Sequence, residues 1–188
     1  MNEPDADVVA RIRSGDREAF GTVVERHQRR LHALAWMVVR DPVGAEEVTQ
    51  DTFVRAYTHL DHYDAHRPLY PWLAAIAVRL GQNWLRQHGR IVRREGTILE
   101  EAPEPTVPDG ALTTLLAGER RRQIWNGVSA LSSGERTAVT LFYRDEMSVR
   151  DIAHALGVTA GTVKTFLFRA RRHLREQLGA AMNEKDVK

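Results

Sequence analysis

The sequence predicts an all-α protein: two small helical domains joined by an extended acidic linker. Three observations lead there. Apolar residues recur at helical spacing, and alternating strand-like runs are almost absent. That periodicity stops near residue 91 and resumes near Leu112. The segment between includes EGTILEEAPEPTVPDG, which has three prolines, two glycines and five acids and reads as an extended tether. The chain therefore divides into residues 1–90, 91–118 and 119–188, with no internal repeat.

Each element has its own signal. Ala19, Phe20, Val23, Val24, His27, Leu31, Leu34, Ala35 and Val38 trace one stripe along a long helix. Asp41-Pro42 reads as an N-cap followed by proline at the first helical position, and Glu46 and Glu47 suit the next turn. Val48, Phe53, Ala56, Tyr57 and Leu60 continue that helix's apolar side. A third helix is expected to begin near Pro71 and to carry Trp72, Leu73, Ile76, Ala77, Leu80, Trp84 and Leu85. Beyond the linker, Ile124, Trp125, Val128 and Leu131 share one side. Ser132-Ser133-Gly134-Glu135 looks like a capping box for the next helix.

Charge is segregated along the chain. The total is only +2 over 188 residues, which by itself argues against a nucleic-acid partner. By segment, however, residues 1–90 are neutral, the linker has net charge −3 and residues 119–188 have net charge +5. Lys164, Arg169, Arg171, Arg172 and Arg175 fall in one stretch without an acid. The absence of cysteine excludes disulfides, thiolate metal sites and a cysteine nucleophile. The longest apolar run, Leu69–Val78, is too short to span a bilayer and contains Pro71. The acidic start MNEPDADVV is unlike a signal peptide, so a soluble cytoplasmic protein is expected. The short stretch after the last apolar stripe leads us to expect no further sensing domain.

The most informative segment is Ser148–Leu178. A short helix carrying Ile152, Ala153 and Leu156 is followed by a Gly157-Val158-Thr159 turn. A longer helix then buries Val163, Leu167, Ala170, Leu174 and Leu178. This is the pattern of a helix-turn-helix, with small Ala153 where the helices should cross. The second helix would present Thr162, Lys164, Thr165, Arg169 and Arg172, with Phe166 as an exposed apolar residue suited to a thymine methyl. A repressor, a response-regulator output domain and a polymerase specificity subunit all use such a unit. No catalytic residue and no cofactor are expected. The only histidine cluster is His59, His62 and His66 with Asp61 and Asp64, in a loop, and we assign it no metal.

Four blocks narrow the choice: GDREAFGTVVERHQRRLHALAW, DPVGAEEVTQDTFVRAYTHLD, YPWLAAIAVRLGQNWLRQ and LSSGERTAVTLFYRDEMSVRDIAHALGVTAGTVKTFLFRARRHL. In this order they resemble the bacterial sigma-70 family of RNA polymerase sigma factors, in the extracytoplasmic-function (ECF) group. The resemblance implies a sigma domain 2 helical bundle and a sigma domain 4 helix-turn-helix, with core RNA polymerase and promoter DNA as partners. It implies promoter-specific transcription initiation, controlled by an anti-sigma factor on a separate, membrane-anchored chain. It places polymerase docking on Asp41, Glu46, Glu47, Gln50, Asp51 and Phe53. It places −10 contacts on Tyr63, Arg79, Gln82, Asn83 and Arg86, and −35 contacts on Thr162, Lys164, Thr165, Phe166, Arg169 and Arg172. Trp72 and Leu73 match a core pair of the family.

The chain departs from the family pattern at three positions. Arg79 stands where asparagine is common, Phe166 where arginine is common, and Asp151 replaces a glutamate. The linker acids Glu95 to Asp109 imply either a mimic of the RNA backbone or a passive tether. A helix-turn-helix activator or repressor with a helical sensor is the alternative, and it predicts a dimer on a palindrome.

Overall fold

The computed structural model describes residues 3–92 and 127–178, and every ordered element among them is helical. Residues 93–126, with the linker and with Ile124 and Trp125, lie outside the described residues. So do the side chains of Arg90 and Leu178.

The first helix, α1 (Asp5–Arg13), was not foreseen. Its nine residues carry only Val8, Val9 and Ile12 inward. The available signal was electrostatic: Asp5 and Asp7 in the first turn, Arg11 and Arg13 in the last, complementing the helix dipole. Asp5 pairs with Arg26 at 2.9 Å and His27 at 3.0 Å, tying α1 to α2 (Phe20–Val39). Arg13 donates to the carbonyl of Leu60 at 2.7 Å, tying α1 to the short 3-10 turn Leu60–His62.

The helix α3 (Pro42–Thr58) begins as the sequence predicts, with Asp41 Oδ1 accepting the Gly44 amide at 2.6 Å and Pro42 in the first turn. The next helix, α4 (Leu69–Val92), starts two residues before Pro71. It packs on α2 and α3 through glycine at both approaches. A Cβ on Gly81 would lie 2.7 Å from Val38 Cγ1, and one on Gly44 would lie 2.6 Å from the Trp84 ring.

The second block opens with the capping box that Ser132 and Glu135 form at the start of α5 (Ser133–Val139). Its last turn widens into a π-helical stretch, Thr140–Arg144. Ser148 caps α6 (Val149–Leu156), and Gly157 ends it at φ 67°, in the left-handed region that glycine adopts without strain. Thr159 Oγ1 accepts the Thr162 amide at 3.1 Å and starts α7 (Ala160–Leu178). Ile152 and Ala153 are buried with Val163, Leu167 and Ala170 where α6 packs on α7.

The two blocks do not stand apart. Helix α6 packs on α4, and α5 packs on α2. Asp145, immediately after the π-helical stretch, is fully buried against Arg30 of α2 and Tyr70 of α4. Arg136 of α5 donates to the Met37 carbonyl at 2.8 Å.

Candidate nucleic-acid interface

Three exposed strips carry most of the predicted site residues. On α7, Lys164, Thr165, Arg169 and Arg172 are exposed and recur at helical spacing on the side opposite Val163, Leu167, Ala170 and Leu174. Arg172 makes only a long, exposed pair with Glu176 at 3.8 Å. Thr162 is half-buried, and its hydroxyl meets that of Thr159 at 2.9 Å, so it belongs to the turn as much as to the open face.

Phe166 requires a correction. Its ring is half-buried against Gly134 of α5, where a Cβ would lie 3.0 Å away. The exposed aromatic is Phe168, 64 % accessible. It is four residues after Lys164 and four before Arg172, so it stands one helical turn from each in the middle of the strip. Helical phase separates them: position 166 falls beside the buried Val163 and Ala170, whereas 168 falls on the open side.

On α4, the exposed residues Arg79, Gln82, Asn83 and Arg86 lie at spacings of three and four and form one polar strip. Arg86 donates to the Asn83 side-chain carbonyl. Tyr63 is not part of that strip. It is 4 % exposed, packs on Trp72 at 5.3 Å between ring centroids and donates its hydroxyl to the Arg67 carbonyl. Burial, with Asp5 and Asp64 nearby, raises its pKa above the usual phenol value. Leu73 is fully buried and Trp72 is half-buried.

On α3, Glu46, Glu47, Gln50 and Asp51 are exposed, whereas Phe53 is buried and meets Phe20 edge-on at 6.4 Å. Phe53 is therefore core. Asp41 is half-buried and spent on its cap. The most exposed apolar residues of α3 are instead Val43 and Val54, in line with Glu47 and Gln50 at offsets of 4, 7 and 11. That spacing was readable in the sequence. Glu47 accepts the Trp84 indole N–H at 3.0 Å, so the α3 strip is fastened to α4 just beside Asn83.

The histidine cluster does not converge. His59 and His62 have ring centroids 6.0 Å apart, and His59 Nδ1 lies 3.1 Å from the Arg55 carbonyl. Among the described residues, no group of three or more His, Cys, Asp and Glu side chains is placed to hold a metal ion. No helix among them is long and apolar enough to cross a membrane.

Two packed helical blocks, one ending in a helix-turn-helix with a basic open face, are the architecture of a DNA-binding protein. Residues 23–91 match Sigma-70 region 2, and residues 121–174 match Sigma-70, region 4. The ECF RNA polymerase sigma-E factor of Escherichia coli (strain K12) is 32 % identical over 89 % of this chain and 90 % of its own. Two solved structures share the fold. The sigma factor RpoE in complex with the anti-sigma factor NepR from Bartonella quintana has a TM-score of 0.67 at 25 % identity, covering 87 % of this chain and 98 % of that one. CnrH in complex with the cytosolic domain of CnrY has a TM-score of 0.64 at 26 % identity, covering 96 % and 100 %. The chain belongs to the ECF sigma factors of the sigma-70 family, a family of transcription-initiation factors.

Proposed function

We propose that this chain docks on core RNA polymerase through the α3 strip, reads the promoter −10 element with α4 and reads the −35 element with α7. The observation that carries this reading is the open face of α7, where Lys164, Thr165, Phe168, Arg169 and Arg172 stand together behind a well-formed cap and turn. Lysine and arginine supply phosphate and guanine contacts, and Phe168 supplies the apolar contact to a thymine methyl. At α3 the docking surface is Glu46, Glu47, Gln50 and Asp51 around the exposed Val43 and Val54. At α4, Arg79 offers a guanidinium to a flipped base or a phosphate.

The protein acts in the cytoplasm, where polymerase is. Its regulator is an anti-sigma factor on a separate, membrane-anchored chain. Family membership and the two anti-sigma complexes of similar folds support this regulator. The linker of residues 91–118 connects the two promoter-reading blocks.

In vitro transcription with core polymerase, with and without this chain, tests the function. Promoter-specific initiation that depends on the chain is expected. Core polymerase that starts no specific transcript when the chain is added would overturn the reading.

A further inference from the structure

Three half-buried arginines are neutralised by a carboxylate. Arg26 pairs with Asp5 at 2.9 Å, and Arg30 and Arg144 both pair with Asp145 at 2.9 Å. Arg40 and Arg136 have no such partner among the described residues. They lie close together at the seam between the blocks, where the end of α2 adjoins the start of α5. Arg136 is only 9 % exposed. Its Nε donates to the Met37 carbonyl at 2.8 Å, and its Nη1 to the Ser129 and Leu131 carbonyls at 3.3 and 3.2 Å. All three acceptors are neutral, and Nη2 has none among the described residues. Arg40 follows Met37 by three residues, at the C-cap of α2. Its guanidinium lies 4.8 Å from the Trp36 ring centroid, and its buried Nη1 has no hydrogen-bond partner.

The acids beside them in sequence are committed elsewhere. Asp41 Oδ1 accepts the Gly44 amide and caps α3. Glu135 accepts the Ser132 amide and hydroxyl in the capping box of α5, with His173 Nδ1 3.7 Å away. Burial and the nearby Arg40 charge push the Arg136 pKa down to about 10, and burial lowers that of Arg40 as well. The carbonyl end of α2 offsets about half a unit charge, so roughly one and a half positive charges stay uncompensated where water has little access. A carboxylate would bring a single negative charge. A phosphate group brings about 1.5 to 2 near pH 7, with three acceptor oxygens that match guanidinium forks.

We propose that Arg40 and Arg136 form an oxyanion site at the junction of α2 and α5, selective for a phosphate group, either free or carried by a small ligand. Three carbonyls fix the Arg136 guanidinium, which makes Nη2 a preset donor. A turn of the Arg40 side chain brings the unbonded Nη1 onto the same oxyanion. The site uses no residue of the three strips and does not depend on the function proposed above.

Phosphorus NMR and thermal unfolding of the full chain, titrated with inorganic phosphate at constant ionic strength, test the site. In the parent, line broadening and melting temperature should rise together and level off in the millimolar range. Arg40→Gln retains the left-handed backbone and removes one charge. Without phosphate it should melt no lower than the parent, because it removes an uncompensated charge. Its phosphate affinity should fall roughly tenfold, about 1.4 kcal/mol. Arg136→Lys keeps the charge but loses the fork, and should weaken binding to a similar degree. Arg29→Gln, at an exposed arginine of α2, should bind as the parent does. Acetate should produce no saturating response. A nucleoside diphosphate separates the two sources: equal affinity assigns free phosphate, and affinity roughly tenfold higher assigns a phosphorylated small molecule. A response that does not saturate in the parent, that acetate reproduces, or that Arg40→Gln leaves intact would overturn the site.

Discussion

Helices α4 and α7, to which we assign the two promoter elements, are built in opposite ways. Helix α4 is enclosed by α2, α3 and α6 and leaves one narrow polar strip open. Helix α7 packs along one side on α5 and α6 and leaves the other side free. In α4 the reading surface and the core share neighbouring residues: Trp84, packed on Gly44, directly follows Asn83. In α7 core and surface are separated by helical phase alone. Changes near the α4 strip should therefore act through stability, and changes on the α7 strip through DNA.

The largest expected effect breaks this contrast at a glycine in each helix. Gly81→Val puts a branched side chain where even a Cβ lies 2.7 Å from the fully buried Val38, and it should cost about 3 kcal/mol by overpacking. Gly161→Ala on α7 meets only Thr159 Oγ1, at 3.6 Å. The gain in helix propensity there, up to about 1 kcal/mol, should leave stability equal or higher. Denaturant unfolding of both variants checks the pair, and equal losses would remove the distinction between the helices.

The two phenylalanines of α7 sharpen the contrast within a single helix. Phe166→Ala removes a half-buried ring from Gly134 and should cost about 2 kcal/mol of stability, weakening DNA binding only as a consequence. Phe168→Ala should leave the melting temperature unchanged and lower affinity for the −35 element about tenfold, close to 1.4 kcal/mol. Melting curves and promoter-binding titrations read out the two effects separately. A folded, DNA-defective Phe166→Ala would reverse the assignment.

How far the sequence could be read follows the same division. Caps and turns were legible because each rests on a few adjacent residues: Asp41-Pro42, Ser132 with Glu135 and the turn at Gly157 act as expected, and the caps at Ser148 and Thr159 are equally local. Phase was less legible. Phe53, Tyr63 and Phe166 are expected on open surfaces, and each is wholly or partly covered by a residue on another element: Phe20, Trp72 and Gly134 respectively. The apolar residues that are exposed, Val43, Val54 and Phe168, lie on faces that helical spacing alone could have marked. The seam was not legible, because Arg30, Tyr70 and Asp145 look like ordinary surface residues until the fold brings them together.

A smaller effect is expected at the turn that aims α7. Gly157 sits at φ 67° with nothing within 4 Å of a would-be Cβ. Gly157→Ala should therefore cost only the backbone penalty, about 1 kcal/mol, with no steric part. Combined with Phe168→Ala the loss should stay that of Gly157→Ala alone, since the second change touches no core. Thermal unfolding of the single and double variants checks this.

The smallest effect concerns pH and separates the two blocks again. His27 is largely buried, and burial pushes its pKa below the usual histidine value. Asp5 pulls the other way, while Arg30 and Arg26 reinforce the drop; the Tyr70 ring lies 6.0 Å away. A depressed pKa means the folded chain favours neutral His27. That contribution is complete above the ordinary value near 6.5 and is lost as pH falls through the folded value. Acidification from pH 7.5 to 5.5 should lower the melting temperature by a few degrees, roughly 1–3 °C, and His27→Gln should remove most of this dependence. Amide exchange should quicken in α1 and α2, which hold the Asp5–His27 pair, and not in α7. Equal quickening in α7 would show that the second block carries its own titrating group, or that the contact between the blocks transmits the change from α2 to α7.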